Sequence, residues 1–465
     1  MIDIENAAGR VLLAGFEATE FNEEVERLLA DVRPAGAIFF RRNVTGIEQF
    51  RELVRRVAEA LRAHQGEGAP LLAVDQEGGS VDRFRDVLGR FPSAQAVATT
   101  GDDPFVRSFG AVVGEAMAGF GLNLNFAPML DLATEAGRAA LGTRAVSGDP
   151  RQVVRFARNF LAGLARWGIT GCGKHFPGLG SGAKDTHFEM AEIDQPAEQL
   201  WESDMLPFRE MHGELPLIMA CHAWFPSLHP EGAAPRSASL SREVITGWLR
   251  ERAGFQGVIV ADDLEMGAVE AGGSAGPVAV AAIEAGCDLL PVCRTPEKVR
   301  EAYQALVERA GQDEAFAARL REAAARVEAL QKSIREKQLV AEPPSNESDW
   351  QRVKEAIEHL REAAEHMGQA AASTSGPLRE GARVARAGGG RGRAGGGGGG
   401  GGRGGPRGGR RDGPPRGDGR GRPGGRDRDR GRRGGPGDRG GRGDGRGGRG
   451  PGRPGGRPSG GDRPE

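Results

Sequence analysis

The chain has 465 residues with 63 basic and 64 acidic side chains, a formal charge of -1 that conceals a split. From residue 381 onward there are 23 arginines, no lysine and 8 acidic residues, which leaves 40 basic against 56 acidic side chains before it: an acidic body with a basic tail. Four cysteines without a C-x-x-C pair exclude a disulfide framework and offer no zinc spacing, and no run nears the roughly 20 apolar residues of a membrane span.

In chain order, Met1-Ile2-Asp3-Ile4-Glu5-Asn6 lacks the basic region and apolar run of a secretory signal, so a reducing, cytoplasmic location is expected. Short apolar runs then follow at Val11–Gly15, Gly36–Phe40, Leu71–Val74, Leu122–Phe126, Thr170–Gly173, Leu217–Cys221, Gly257–Ala261 and Asp288–Val292. Such continuous runs suit strands buried on both faces of a parallel sheet. Helical patterns at Gly46–His64, Pro150–Trp167, Ser241–Arg252 and Pro277–Ala285 alternate with them. Eight β/α repeats predict a TIM-type (β/α)8 barrel over residues 1–335, with an open doubly wound sheet as the alternative. Two charged helices are expected at 313–335 and 349–368, the second polar and loosely packed in a linker over 336–376. Residues 377–465 are almost entirely Gly, Arg, Pro and Asp, too poor in apolar side chains to offset the entropy of ordering, so a disordered tail is expected.

In a barrel, chemistry belongs at the C-terminal strand ends, and polar clusters sit there: Asp75, Lys174-His175, His222 and Asp262. After Gly173, Pro177-Gly178 and Gly180-Ser181-Gly182 force an irregular loop that ends in Asp185-Thr186-His187. A carboxylate on one ring nitrogen would fix the imidazole tautomer and leave the other nitrogen for proton transfer. The strand Val258–Ala261 runs into Asp262-Asp263, where one carboxylate can attack an anomeric carbon while its neighbour caps the turn from Leu264. Asp75 opens a glycine-rich turn, Asp75-Gln76-Glu77-Gly78-Gly79, whose acidic and amide groups suit sugar hydroxyls, with Arg83 in reach.

Together these pieces resemble glycoside hydrolase family 3, and within it the single-domain bacterial β-N-acetylglucosaminidases of peptidoglycan recycling. The resemblance rests on Lys174–His187, Val74–Gly79, Asp262–Met266, Asn125–Asp131, Ser239–Ser241 and Ala285–Leu290, and covers about residues 8–335. It implies Asp262 as nucleophile, His187 as general acid/base and Asp185 as its partner. Asp75, Arg83, Arg144, Lys174 and His175 would bind the terminal sugar, and His222 is either a further contact or a satisfied structural histidine.

Two residues depart from the family pattern. Leu179 replaces a frequent histidine, which implies altered loop packing, and Ala261 replaces a frequent serine, which implies one hydrogen bond fewer to the nucleophile. The reaction implied is two-step hydrolysis with retained configuration, needing no metal or organic cofactor. A phosphorylase on the same scaffold, or an RNA-binding protein acting through the tail's Arg-Gly-Gly units, are the rival classes; clustered arginine contacts phosphates with little sequence preference.

Overall fold

The computed structural model describes residues 3–64, 68–182, 190–270, 274–337, 339 and 341–374. Eight strands run in chain order: β1 (Leu12–Ala14), β2 (Gly36–Phe39), β3 (Leu71–Val74), β4 (Leu124–Asn125), β5 (Thr170–Phe176), β6 (Leu217–Ala220), β7 (Val258–Ala261) and β8 (Leu290–Val292). All are parallel, in the order β7-β6-β5-β4-β3-β2-β1-β8. A parallel bridge between Val260 and Leu289 joins the two ends into a (β/α)8 barrel.

Alternation along the apolar runs explains the closure. Leu13, Ile38, Leu71, Ala73, Leu124, Cys172, Leu217, Met219, Val258, Val260 and Leu289 fill the interior. Their neighbours Leu12, Ala37, Leu72, Val74, Ile218 and Ile259 pack outward against the helices. All eight expected strands are present. β5 runs three residues further than the sequence suggests, because Lys174 and Phe176 pair with Met219 and Ala220 of β6. Lys174 and His175, read as the start of a loop, are therefore strand residues.

The N-terminal end of the barrel is plugged by the helix Glu314–Arg335, which inserts Val327, Leu330 and Ile334 into the interior cluster. Beside it, buried Asp288 cross-ties the β7–β8 seam. It accepts from the Ile259 amide at 3.0 Å and from Arg250, Arg319 and Arg326 at 2.7, 2.7 and 3.2 Å.

The last helix, Glu347–Thr374, corrects the expectation of loose packing. Trp350, Val353, Ile357, Leu360 and Ala364 form one stripe buried against the main core. Trp350 lies 4.7 Å from the Phe120 ring, and a Cβ on Gly119 would come within 2.6 Å of its indole. That stripe is sparse among charged residues, which made the segment look polar throughout. The tail expected to be disordered, 377–465, lies outside the described residues.

Candidate active site at the barrel mouth

The turn after β3 is braced by hydrogen bonds among its own residues and to Asn125. The Gln76 amide donates to Asn125 Oδ1 at 2.9 Å, and its side chain donates to Asp82 Oδ1 at 2.9 Å and accepts from the Arg83 amide at 2.8 Å. Asp82 also accepts from the amides of Phe84 and Phe91. Gly78 has φ of +87°, and a Cβ there would sit 2.3 Å from the Pro92 carbonyl oxygen, so only glycine fits. This frame holds Asp75, Glu77 and Arg83 at fixed positions.

Lys174 ends the interior row of β5 and is 2 % exposed. Its Nζ lies 2.6 Å from Asp75 Oδ1 and 2.7 Å from Glu77 Oε1. Arg144 grips the same Glu77 with two bonds, Nε and Nη2 each at 2.9 Å. Burial alone would raise the Glu77 pKa, but Arg144 and Lys174 overrule it and hold the carboxyl well below the usual range. Burial likewise works against a charged Lys174, and Asp75 and Glu77 outweigh it, so the ammonium is retained. Arg83 approaches Asp75 Oδ2 at 3.7 Å and lies 5.2 Å from the Phe40 ring, and among the described residues its enclosed Nε has no hydrogen-bond partner.

Between Lys174 and Phe176 the β5–β6 register shifts, leaving His175 outside the ladder. Its Nδ1 lies 2.6 Å from Asp131 Oδ2, and the other oxygen of Asp131 accepts from the Leu179 amide at 2.6 Å. A carboxylate thus orients an imidazole at this point of the chain. Leu179 itself packs with Met129, Leu141 and Ala145, so the departure at this position is absorbed as apolar packing.

At the end of β7 the two adjacent carboxylates divide their work. Asp262 Oδ1 accepts from the Asp263 amide at 2.9 Å. Asp263 Oδ1 accepts from the amides of Glu265 at 3.0 Å and Cys293 at 3.2 Å, tying the turn to the end of β8. Burial, with help from Glu265 and Asp262, pushes the Asp263 carboxyl up to about 7. Ala261 belongs to the apolar layer outside the barrel, on the face opposite inward-pointing Val260. A serine there would point away from the mouth, so the hydrogen bond expected to be lost was not directed at the nucleophile.

A pH effect follows from Asp263. Its folded pKa is raised, so ionisation in the unfolded chain costs stability as pH climbs from about 4 to about 7, by up to about 1.4 kcal/mol per unit. Asp263→Asn keeps an oxygen for both amides and cannot ionise. Its melting temperature relative to the parent is expected to be higher at pH 8 than at pH 5; a pH-independent difference contradicts this.

Of the residues singled out in the sequence, Asp75, Arg83, Arg144 and Lys174 meet in one cluster, with His175 on the same strand as Lys174. Asp262 follows the last residue of β7, at the C-terminal end of the same parallel barrel. Of the two roles expected for His222, its surroundings fit the satisfied structural histidine. It is fully buried, with Nδ1 2.7 Å from Ser239 Oγ and Nε2 2.9 Å from the Asp263 carbonyl, so both nitrogens are engaged inside the protein. Asp185 and His187 lie outside the described residues. Glu77 and Asp131 were not singled out in the sequence; their signal was a carboxylate inside a glycine turn and one at the end of the apolar run Phe126–Leu130.

A (β/α)8 barrel with carboxylates and fixed cations around its C-terminal mouth carries its polar groups where enzymes of this fold do their chemistry. Residues 4–330 match the glycosyl hydrolase family 3 N-terminal domain. Over 296 residues the chain is 36% identical to a beta-hexosaminidase of Alkalilimnicola ehrlichii, covering 62% of this chain and 82% of that protein. A beta-hexosaminidase of Pseudomonas aeruginosa is 35% identical over 299 residues, covering 63% and 86%. Among solved structures, a glycoside hydrolase family 3 beta-N-acetylglucosaminidase from Paenibacillus sp. str. FPU-7 superposes with a TM-score of 0.69 at 28% identity, over 77% of this chain and 68% of that one. The chain belongs to glycoside hydrolase family 3, and it is a glycoside hydrolase. The family match ends at residue 330, short of the Arg/Gly segment. Among the described residues no helix is long and apolar enough to cross a membrane.

Proposed function

We propose that this chain is a retaining exo-β-N-acetylglucosaminidase that removes terminal non-reducing N-acetylglucosamine from peptidoglycan fragments in the cytoplasm. The observation that carries the reading is Lys174 clasped between Asp75 and Glu77 over the barrel, with Asp262 at a strand end of the same mouth. Two relatives bearing the name beta-hexosaminidase add support for the sugar class.

In this reading Asp75, Arg83, Arg144, Lys174 and His175 hold the hydroxyls of the terminal sugar, and Arg144 also braces Glu77. His187, partnered by Asp185, donates its proton to the glycosidic oxygen while the Asp262 carboxylate attacks C1 and the C1–O bond breaks. In the second step neutral His187 takes a proton from water, the water oxygen bonds to C1 and Asp262 leaves. Burial pushes the Asp263 carboxyl up to about 7, so below that pH it spares Asp262 a second negative charge beside it.

The test incubates the purified chain with an aryl N-acetylglucosaminide, an aryl glucoside and a muropeptide fragment, with phosphate varied. Release of free N-acetylglucosamine from the first and third, independent of phosphate, is expected. Preference for the glucoside, or formation of sugar-1-phosphate, overturns the proposal.

A further inference from the structure

His222 is the buried titratable group that the mechanism above leaves unused. It follows β6 directly, and its ring fills the space between that strand and the turn carrying Asp262 and Asp263. A carbonyl oxygen can only accept, so the 2.9 Å contact with the Asp263 carbonyl makes Nε2 the protonated nitrogen. Nδ1 is then an acceptor in the neutral ring, and Ser239 Oγ donates to it at 2.7 Å, with Ser237 Oγ at 3.2 Å from Nδ1 and 3.0 Å from Ser239 Oγ.

The two serines are themselves fixed. The Ala238 amide donates to the Ala223 carbonyl at 2.8 Å and the Ser239 amide to the Cys221 carbonyl at 3.0 Å, which straps the segment onto the chain flanking His222. Burial favours the neutral ring, and the nearby charge of Asp262 works in the opposite direction without reversing it.

The turn that His222 grips is pinned from both sides. The Asp262 amide donates to the Ala220 carbonyl of β6 at 3.0 Å, and the Leu264 amide to the Pro291 carbonyl of β8 at 3.1 Å. Between those anchors the Asp263 amide donates to Asp262 Oδ1. The carbonyl of the same residue is the group that His222 holds, so the ring sets how Asp263 is turned and hence where its amide points.

We propose that His222 is a positioning residue for the nucleophile: its Nε2–H fixes the Asp263 carbonyl so that the Asp263 amide orients the Asp262 carboxylate, and Ser239, backed by Ser237, keeps the ring in the required tautomer. The inference rests on the reading of Asp262 as nucleophile. It makes His222 a group that neither touches sugar nor moves a proton.

The experiment compares His222→Ala, His222→Gln, Ser239→Ala and Asp262→Ala in the full chain, reading kcat, KM and the pH profile on an aryl N-acetylglucosaminide, with melting temperature alongside. Small misplacements of reacting groups cost on the order of 100-fold. His222→Ala is expected to lose kcat on that order at nearly constant KM, and Ser239→Ala to lose less. Glutamine offers both a donor and an acceptor, so His222→Gln should recover most of kcat with an unchanged pH profile.

A raised KM at normal kcat marks a sugar contact, and loss of a pH limb in His222→Gln marks a proton-transfer role; either overturns the inference. So does normal kcat in His222→Ala, whatever its melting temperature. If His222→Ala does not fold, Ser239→Ala and His222→Gln still decide the matter. Full activity in Asp262→Ala instead removes the reading of the nucleophile, a distinguishable failure.

Discussion

Replacing Asp262 with alanine is expected to lower kcat on an aryl N-acetylglucosaminide on the order of 10^6-fold, the scale seen when a nucleophile is removed from a preorganised site. The fold should survive, because the Asp262 main chain is held by the Ala220 carbonyl and the neighbouring Asp263 keeps its bonds to Glu265 and Cys293. The lost group leaves a small space beside C1. Azide at high concentration is therefore expected to restore part of the rate and yield a glycosyl azide of inverted configuration. Normal turnover in the variant would remove Asp262 from the mechanism.

The second large effect is on stability. Glu77 is the shared counter-ion of two cations, with side chains of Glu77 and Lys174 only 3% and 2% exposed. Glu77→Gln leaves Lys174 with Asp75 alone and strips Arg144 of its bidentate partner. Removing one member of a buried ionic cluster typically costs about 3–5 kcal/mol, because the remaining charges stay desolvated. The measurement is urea denaturation of Glu77→Gln against Glu59→Gln, which breaks an exposed, solvent-screened helix pair with Arg55 and should barely move the midpoint. Equal midpoints would show that the cluster adds nothing. The acid side follows the same logic. The Glu77 pKa is depressed in the folded state, so its stabilisation is complete above the ordinary glutamate range and fades as pH falls below it.

The barrel was legible because its strands are buried on both faces and read as unbroken apolar runs at regular spacing. The end of β5 was not, since Lys174 and His175 are polar and sequence alone cannot show that the Lys174 amide and carbonyl are spent on Pro128 and Leu130 and the His175 amide on Asp131. The cations and Asp75 were legible as mouth residues, whereas Glu77 and Asp131 acquire meaning only from what they face: Lys174 and Arg144 in one case, His175 in the other. His222 shows the same limit from the opposite side. Its position at a strand end suggests a ligand, and only the two serines, brought back from fifteen or more residues away, reveal that its nitrogens are already used. The last helix was legible but its packing through Trp350 was hidden by composition, one apolar stripe among many charges.

The most direct test of the account is to trap the enzyme with an activated fluoro-sugar analogue of N-acetylglucosamine and map the modified peptide by mass spectrometry. One added sugar, esterified to Asp262, is expected. An adduct on Asp263, Asp75 or Glu77, or direct release of the inverted anomer without any adduct, would contradict it.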